Sequence, residues 1–149
     1  MLFFKEDTKE KLIIIIGCGR LGSRLANDLS DQGGNVLILD RTPDSFRRLS
    51  PGFGGLTLVG NCTDFETLHE AEIEKADYVI AVTDNDSVNI MVSQMAKHIF
   101  HVKNVIARLY DPERKCVVEG DDIHIICPAM LSAQVINGIL DDNKETGEV

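Results

Sequence analysis

Apolar residues along the chain come in two rhythms, and the alternation between them predicts the fold. Runs of four or five apolar residues, Leu12 to Ile16, Val36 to Leu39 and Tyr78 to Val82, have the length and composition of strands buried on both faces. Shorter segments of the same kind lie at 56–59, 104–108 and 123–126. Between them the apolar spacing widens to the helical period. Leu21, Leu25 and Leu29 repeat every fourth position, and Val88, Val92, Met95 and Ile99 form one stripe on a helix predicted over Asn85 to Phe100, the longest in the chain. Thr42 before Pro43 reads as a helix cap with a first-turn proline, and Thr63 with Glu66 as a capping box. Strands that alternate with helices in this way predict βαβ units. The expected fold is α/β, a Rossmann-type doubly wound parallel sheet of six strands with helices on both faces.

The last predicted helix, opened by Pro128 and running to about Leu140, departs from this economy. Met130, Leu131, Val135, Ile136, Ile139 and Leu140 are too many apolar positions for one buried face, and the excess predicts a partner surface. At 149 residues the chain has the size of one domain. Residues 1–11 read as an N-terminal extension, 12–140 as the domain, and 141–149 as a polar tail expected to fray. No apolar run approaches the roughly 20 residues that span a bilayer. The first residues turn charged too soon for a signal peptide, so a cytoplasmic protein is expected. Cys18, Cys62, Cys116 and Cys127 form no CxxC pair and read as reduced, mostly buried residues. With 15 Lys and Arg against 24 Asp and Glu, a net charge of -9 repels nucleic acid and anionic lipid.

Candidate chemistry starts where the first strand ends. Gly17-Cys18-Gly19-Arg20-Leu21-Gly22 matches GxGxxG between a strand and a helix, the place where bare backbone amides and the positive end of a helix dipole meet phosphate. The first glycine allows the tight turn, the second close approach of pyrophosphate, and the third close packing of helix on strand. The second strand ends in Asp40, near the roughly 20-residue distance at which an acid accepts hydrogen bonds from the adenosine ribose. Asp40 would disfavour a 2′-phosphate and so favour NAD(H) or ATP/ADP over NADP; its other reading is a cap on the turn before Thr42. Arg41 is either a solvated turn residue or a group that stacks on adenine or meets a phosphate.

Catalytic constellations are harder to find. A short-chain dehydrogenase needs Tyr-x-x-x-Lys, but Tyr78 is followed four residues on by Val82 and Tyr110 by Arg114. His69, His98, His101 and His124 do not cluster; His98 and His101 share a predicted helix end, and His124 is expected to be partly buried in a strand.

Further matches lie at the ends of the later strands: Gly60-Asn61-Cys62-Thr63-Asp64, Val82-Thr83-Asp84-Asn85-Asp86 through Asn89, and Ile106-Ala107-Arg108. With the glycine turn and Asp40, the chain resembles over residues 12 to about 138 the regulatory nucleotide-binding N-terminal domains of bacterial potassium transport proteins, the TrkA-N or RCK-N family. The resemblance implies that Arg20 reaches the phosphates, that Asn61 and Cys62 line the adenine side, and that Thr83, Asp84 and Arg108 border the far half of the cleft. Read without it, Asn61 holds a turn, Asp84 caps a helix and Arg108 pairs with an acid. It also implies a regulatory subunit, not an enzyme, that binds NAD(H), ATP, ADP or AMP, assembles as a dimer or larger ring through its last helix, and gates a membrane potassium transporter or channel. The alternative is an NAD-dependent oxidoreductase or its cofactor-binding subunit. Two features depart from the family: Pro128-Ala129 stands where many members have Pro-Glu, and no smaller C-terminal ligand-binding domain follows, as expected of a stand-alone sensor or half of a split system.

Overall fold

Four consecutive isoleucines after Leu12 can be buried together only in a strand with both faces covered, and that strand is the centre of the molecule. In the computed structural model, which describes residues 11–145, β1 (Leu12–Ile16) holds Ile13 to Ile16 at 3% exposure or less. Each such side chain contributes roughly 1.5–3 kcal/mol on leaving water. Around it lie β2 (Asn35–Asp40), β3 (Leu56–Val59), β4 (Tyr78–Ala81), β5 (Asn104–Arg108) and β6 (His124–Ile126). They form one sheet in the order β3-β2-β1-β4-β5-β6, with every pair parallel. The order reverses direction between β1 and β4, where Ile16 is paired with Leu39 on one side and Ala81 on the other.

Alternate residues of β1 serve opposite layers. Ile13 and Ile15 join Val36 and Ile38 beneath Leu21, Leu25 and Leu29, the apolar stripe of α1 (Arg20–Asp31). Ile14 and Ile16 join Val79, Ala81, Val105 and Ala107 on the other face, under Leu68 of α2 (Phe65–Glu70) and Val92 of α3 (Asp86–Gln94).

The helices differ from the sequence reading in four ways. The turn after Thr42 is a 3-10 segment, Pro43–Arg48, with no side-chain cap from Thr42. Asp64, not Thr63, caps α2, its carboxylate accepting from the Glu66 amide at 3.3 Å, while the Thr63 hydroxyl turns back to Asn61 at 2.8 Å. The helix expected over 85–100 is α-helical only to Gln94 and closes as a π turn, Met95–Ile99. The longest helix is α4 (Pro128–Glu145), which carries regular structure five residues past Leu140 into the tail expected to fray. His124 is exposed, not partly buried, because β6 is an edge strand. Residues 1–10 of the N-terminal extension and 146–149 of the tail lie outside the described residues.

Among the described residues, two apolar surfaces are left without cover. On the α1 side of the sheet, Ile80 and Ile106 follow Ile15 along the register; Ile126, two residues past His124, which pairs with Ile106, points to the same face and is 39% exposed. Along α4, the six apolar residues from Met130 to Leu140 are 43–65% exposed. Among the described residues no helix is long and apolar enough to cross a membrane.

Candidate functional site

The three glycines of the turn after β1 are required for three separate reasons. Gly17 sits at φ +103°, and a β-carbon there would lie 2.9 Å from the backbone of Thr83, so only glycine fits both the conformation and the space. Its amide donates to the Leu39 carbonyl at 2.8 Å, which anchors the turn to β2. A β-carbon on Gly22 would fall 1.8 Å from the Gly17 carbonyl oxygen, so the third glycine brings α1 against its own strand. Gly19 is different: nothing lies within 4 Å of where its β-carbon would be. The space above it is open, and Gly19 is also the N-cap of α1, which no side chain caps and whose first turn holds no acid. Uncapped amides facing open space at a 12-residue helix start suit an anion.

Asp40 is the hinge of the adjoining wall. One carboxylate oxygen accepts from the Cys18 amide at 2.8 Å and the other from the Thr42 amide at 2.8 Å. The turn-holding reading is thus what the geometry shows, with an addition that spacing did not reveal: Asp40 also braces the glycine turn. Each carboxylate oxygen can accept more than one bond, so ribose hydroxyls remain within its capacity. Arg48, which no motif singles out, reaches the same turn by donating to the Cys18 carbonyl at 3.5 Å.

The two thiols here are structural. Cys18 and Cys62 are buried, and burial pushes both pKa values up, with the negative charge of Asp40 adding to it. Arg48 opposes the rise at Cys18; at Cys62 its own backbone hydrogen bond and then Arg41 do so. Neutral thiols of this kind pack and do not attack. Cys127 is buried as well, while Cys116 is exposed. Arg20 and Arg41 extend into solvent at the rim. Asn61 is exposed, with its side-chain oxygen accepting from the Thr63 amide at 3.0 Å, so its side chain holds the turn after β3.

Across the switch in strand order, Thr83 and Arg108 come together at the ends of β4 and β5. Among the described residues Arg108 pairs with no acid: it donates to the carbonyls of Val82 and Thr83 at 3.0 and 3.1 Å and lies 4.7 Å from the centre of the Tyr110 ring. Its Nε is buried without a hydrogen-bond partner among the described residues. Asp84 is exposed and does not cap α3; Asn85 does, accepting from the Val88 amide at 3.1 Å. Two further residues organise this wall. Asn89, fully buried on α3, bonds to both Thr83 and Arg108, and Asp86 accepts from the amides of Tyr110 and Asp111 at 2.8 and 2.9 Å. The available signal was a polar residue inside an otherwise apolar helical stripe. The histidines stay apart, His69 on Glu74 at 3.2 Å and His98 on Asp121 at 2.9 Å.

These residues lie at the carboxyl ends of β2, β1, β4 and β5, the edge where open parallel sheets bind ligands. Similar proteins share this frame. The Trk system potassium uptake protein TrkA of Streptomyces coelicolor is 42% identical over 134 residues, which cover 89% of this chain and 60% of that protein. A TrkA homolog of Pyrococcus abyssi is 36% identical over 107 residues, 72% of this chain and 47% of its own length. The chain therefore spans about half the length of these relatives. Among solved structures, the GsuK channel bound to NAD superposes with a TM-score of 0.74 at 26% identity, over 92% of this chain and 24% of that one. GsuK bound to ADP gives 0.72 at 26% identity, over 94% and 36%. The TrkA-N domain of the Escherichia coli inner membrane protein ybaL, at 18% identity, shares the fold with a TM-score of 0.74, over 87% and 96%. The TrkA-N domain model matches residues 13–128, from the first buried isoleucine to the start of α4, and on that match the chain belongs to the TrkA-N family.

Proposed function

We propose that the chain is a regulatory nucleotide-binding domain: it binds NAD(H) or ATP/ADP across the ends of β2, β1 and β4, and gates a membrane potassium transporter or channel from the cytoplasmic side. The observation that carries the reading is the open, uncapped amino end of α1 above Gly19, with the Asp40 carboxylate one strand away. An adenosine phosphate matches both ends of that arrangement, with ribose hydroxyls at the acid and phosphate at the amides. The ligands named for GsuK, NAD and ADP, and for the Kef C-terminal domain of Shewanella denitrificans, AMP, share this half. Arg20, Arg41, Asn61 and Cys62 serve the phosphate and adenine sides, and Thr83, Asp84 and Arg108 the far half.

The polar groups of the cleft favour a sensor over a catalyst. The carboxylate of Asp40, the amide of Asn89 and the guanidinium of Arg108 are all bonded to main chain, a use that holds the shape of the wall. A sensor works only if its ligand prefers one state of an assembly; the uncovered α4 is where copies of the chain, and the membrane partner through them, meet. Calorimetric titration with NADH, NAD, ATP, ADP and AMP tests the reading. Saturable binding without turnover of NADH against a panel of carbonyl compounds is the expected result; NADH oxidation overturns the sensor assignment, and absence of binding overturns the site.

A further inference from the structure

Asn89 makes more of the cleft than any residue that borders it. Its side chain is wholly removed from water, a costly position for an amide unless each donor and acceptor is matched. All of them are. The side-chain oxygen accepts from the Thr83 amide at 3.0 Å and the Thr83 hydroxyl at 2.6 Å. The side-chain nitrogen donates to the Thr83 carbonyl at 3.1 Å and the Arg108 carbonyl at 2.8 Å. The last paired position between β4 and β5 is Ala81 with Ala107, so Asn89 takes over where the ladder stops. Arg108 closes the ring by donating from its guanidinium to Val82 and Thr83. The Thr83 backbone is also the surface against which Gly17 turns.

The strand order gives this support a direction. Asp40, the glycine turn, Thr83 and Arg108 follow one another along β2, β1, β4 and β5. With adenosine at Asp40 and phosphate at the turn, only a ligand that continues past its phosphates arrives at Thr83 and Arg108. AMP stops short; the second nucleoside of NAD does not. Resting on the nucleotide reading above, we infer that Asn89 is a positioning residue for the far half of the cleft and sets the preference for a dinucleotide over a mononucleotide.

Asn89→Asp is the test, because it keeps the shape and the acceptor toward the Thr83 amide and hydroxyl. It loses the donor and sets a carboxylate oxygen against the carbonyls of Thr83 and Arg108. Calorimetry on the full chain should show NAD weakened by at least about tenfold and AMP by less than about threefold, the scale of one mispaired buried polar group. Equal weakening of both ligands, or of neither, overturns the inference. Should Asn89→Asp fail to fold, Thr83→Val and Thr83→Ser replace it: the valine removes the hydroxyl bond to Asn89 and should weaken NAD selectively, while the serine keeps it and should restore binding. Valine and serine variants that behave alike overturn the inference too. If the unsubstituted chain binds neither NAD nor AMP, the nucleotide reading itself falls; if it binds both and Asn89→Asp changes nothing, only the role of Asn89 does.

Discussion

Gly17, Gly19 and Gly22 look equivalent as letters and have unequal physical roles. A β-carbon at Gly22 would overlap the Gly17 carbonyl, whereas at Gly19 it would enter empty space. Gly19→Asp is therefore expected to leave the fold intact, since the new carboxylate would sit where helix N-caps favour one. It would also place a negative charge in the space proposed for phosphate. Calorimetry should find no ADP or NADH binding, with a melting temperature within a few degrees of the parent; ordinary binding by that variant would show that phosphate does not sit at this turn. Gly22→Ala should do the reverse and cost about 2 kcal/mol or more through overpacking, read as a lowered urea midpoint. At Asp40 the sequence left two readings open, ribose acceptor and turn cap; the side chain caps the Thr42 turn and in addition braces Cys18, a contact that spacing along a chain could not express.

Elements were legible where local chemistry alone decides them. All six strands fall within about one residue of the apolar runs that predicted them, because β-branched runs bounded by glycine, asparagine and acid leave the backbone few alternatives. Gly17 to Gly22 and Asp40 were readable for the same reason, being tied to strand ends. What escaped depends on distant partners. The cap of α2 passed from Thr63 to its neighbour Asp64 because Asn61 claims the threonine hydroxyl. The segment from Tyr110 to Asp122 has no apolar period; it is clipped to α3 at one end by Asp86 and at the other by Asp121, which accepts from Gln94 at 3.0 Å and pairs with His98 at 2.9 Å. The Gln94 amide, and after it His98, hold the Asp121 carboxyl below its ordinary value of 3.8. A lowered folded-state value means that the clip stabilises the fold above the unfolded-state value and fades as pH falls through the lowered one. Asp121→Asn should therefore lower the urea midpoint at neutral pH and converge with the parent in strong acid. Parallel curves at every pH would show that the ionised carboxylate contributes nothing.

For the whole molecule, the order β3-β2-β1-β4-β5-β6 has a consequence beyond the cleft. Right-handed connections on either side of the switch place helices on opposite faces, so the α1 side of β4, β5 and β6 receives no helix from the crossovers between them. That face exposes Ile126, while α4, the next element in the chain, exposes Val135, Ile136, Ile139 and Leu140. The described residues of a single copy thus leave two apolar surfaces uncovered. Monomeric proteins rarely expose such areas, and closed symmetric association is the ordinary way to bury them. Ile136 and Ile139, three positions apart, share one face of α4 and are 57% and 56% exposed, so charge placed on them should disturb assembly far more than folding. Sedimentation equilibrium of the unsubstituted chain should give a dimer or a larger ring, and the double variant Ile136→Glu, Ile139→Glu a monomer with an unchanged circular dichroism spectrum. A parent chain that stays monomeric at high concentration, or a double variant of undiminished mass, would mean that α4 does not join copies and that the proposed signal to a membrane partner would have to pass through some other face.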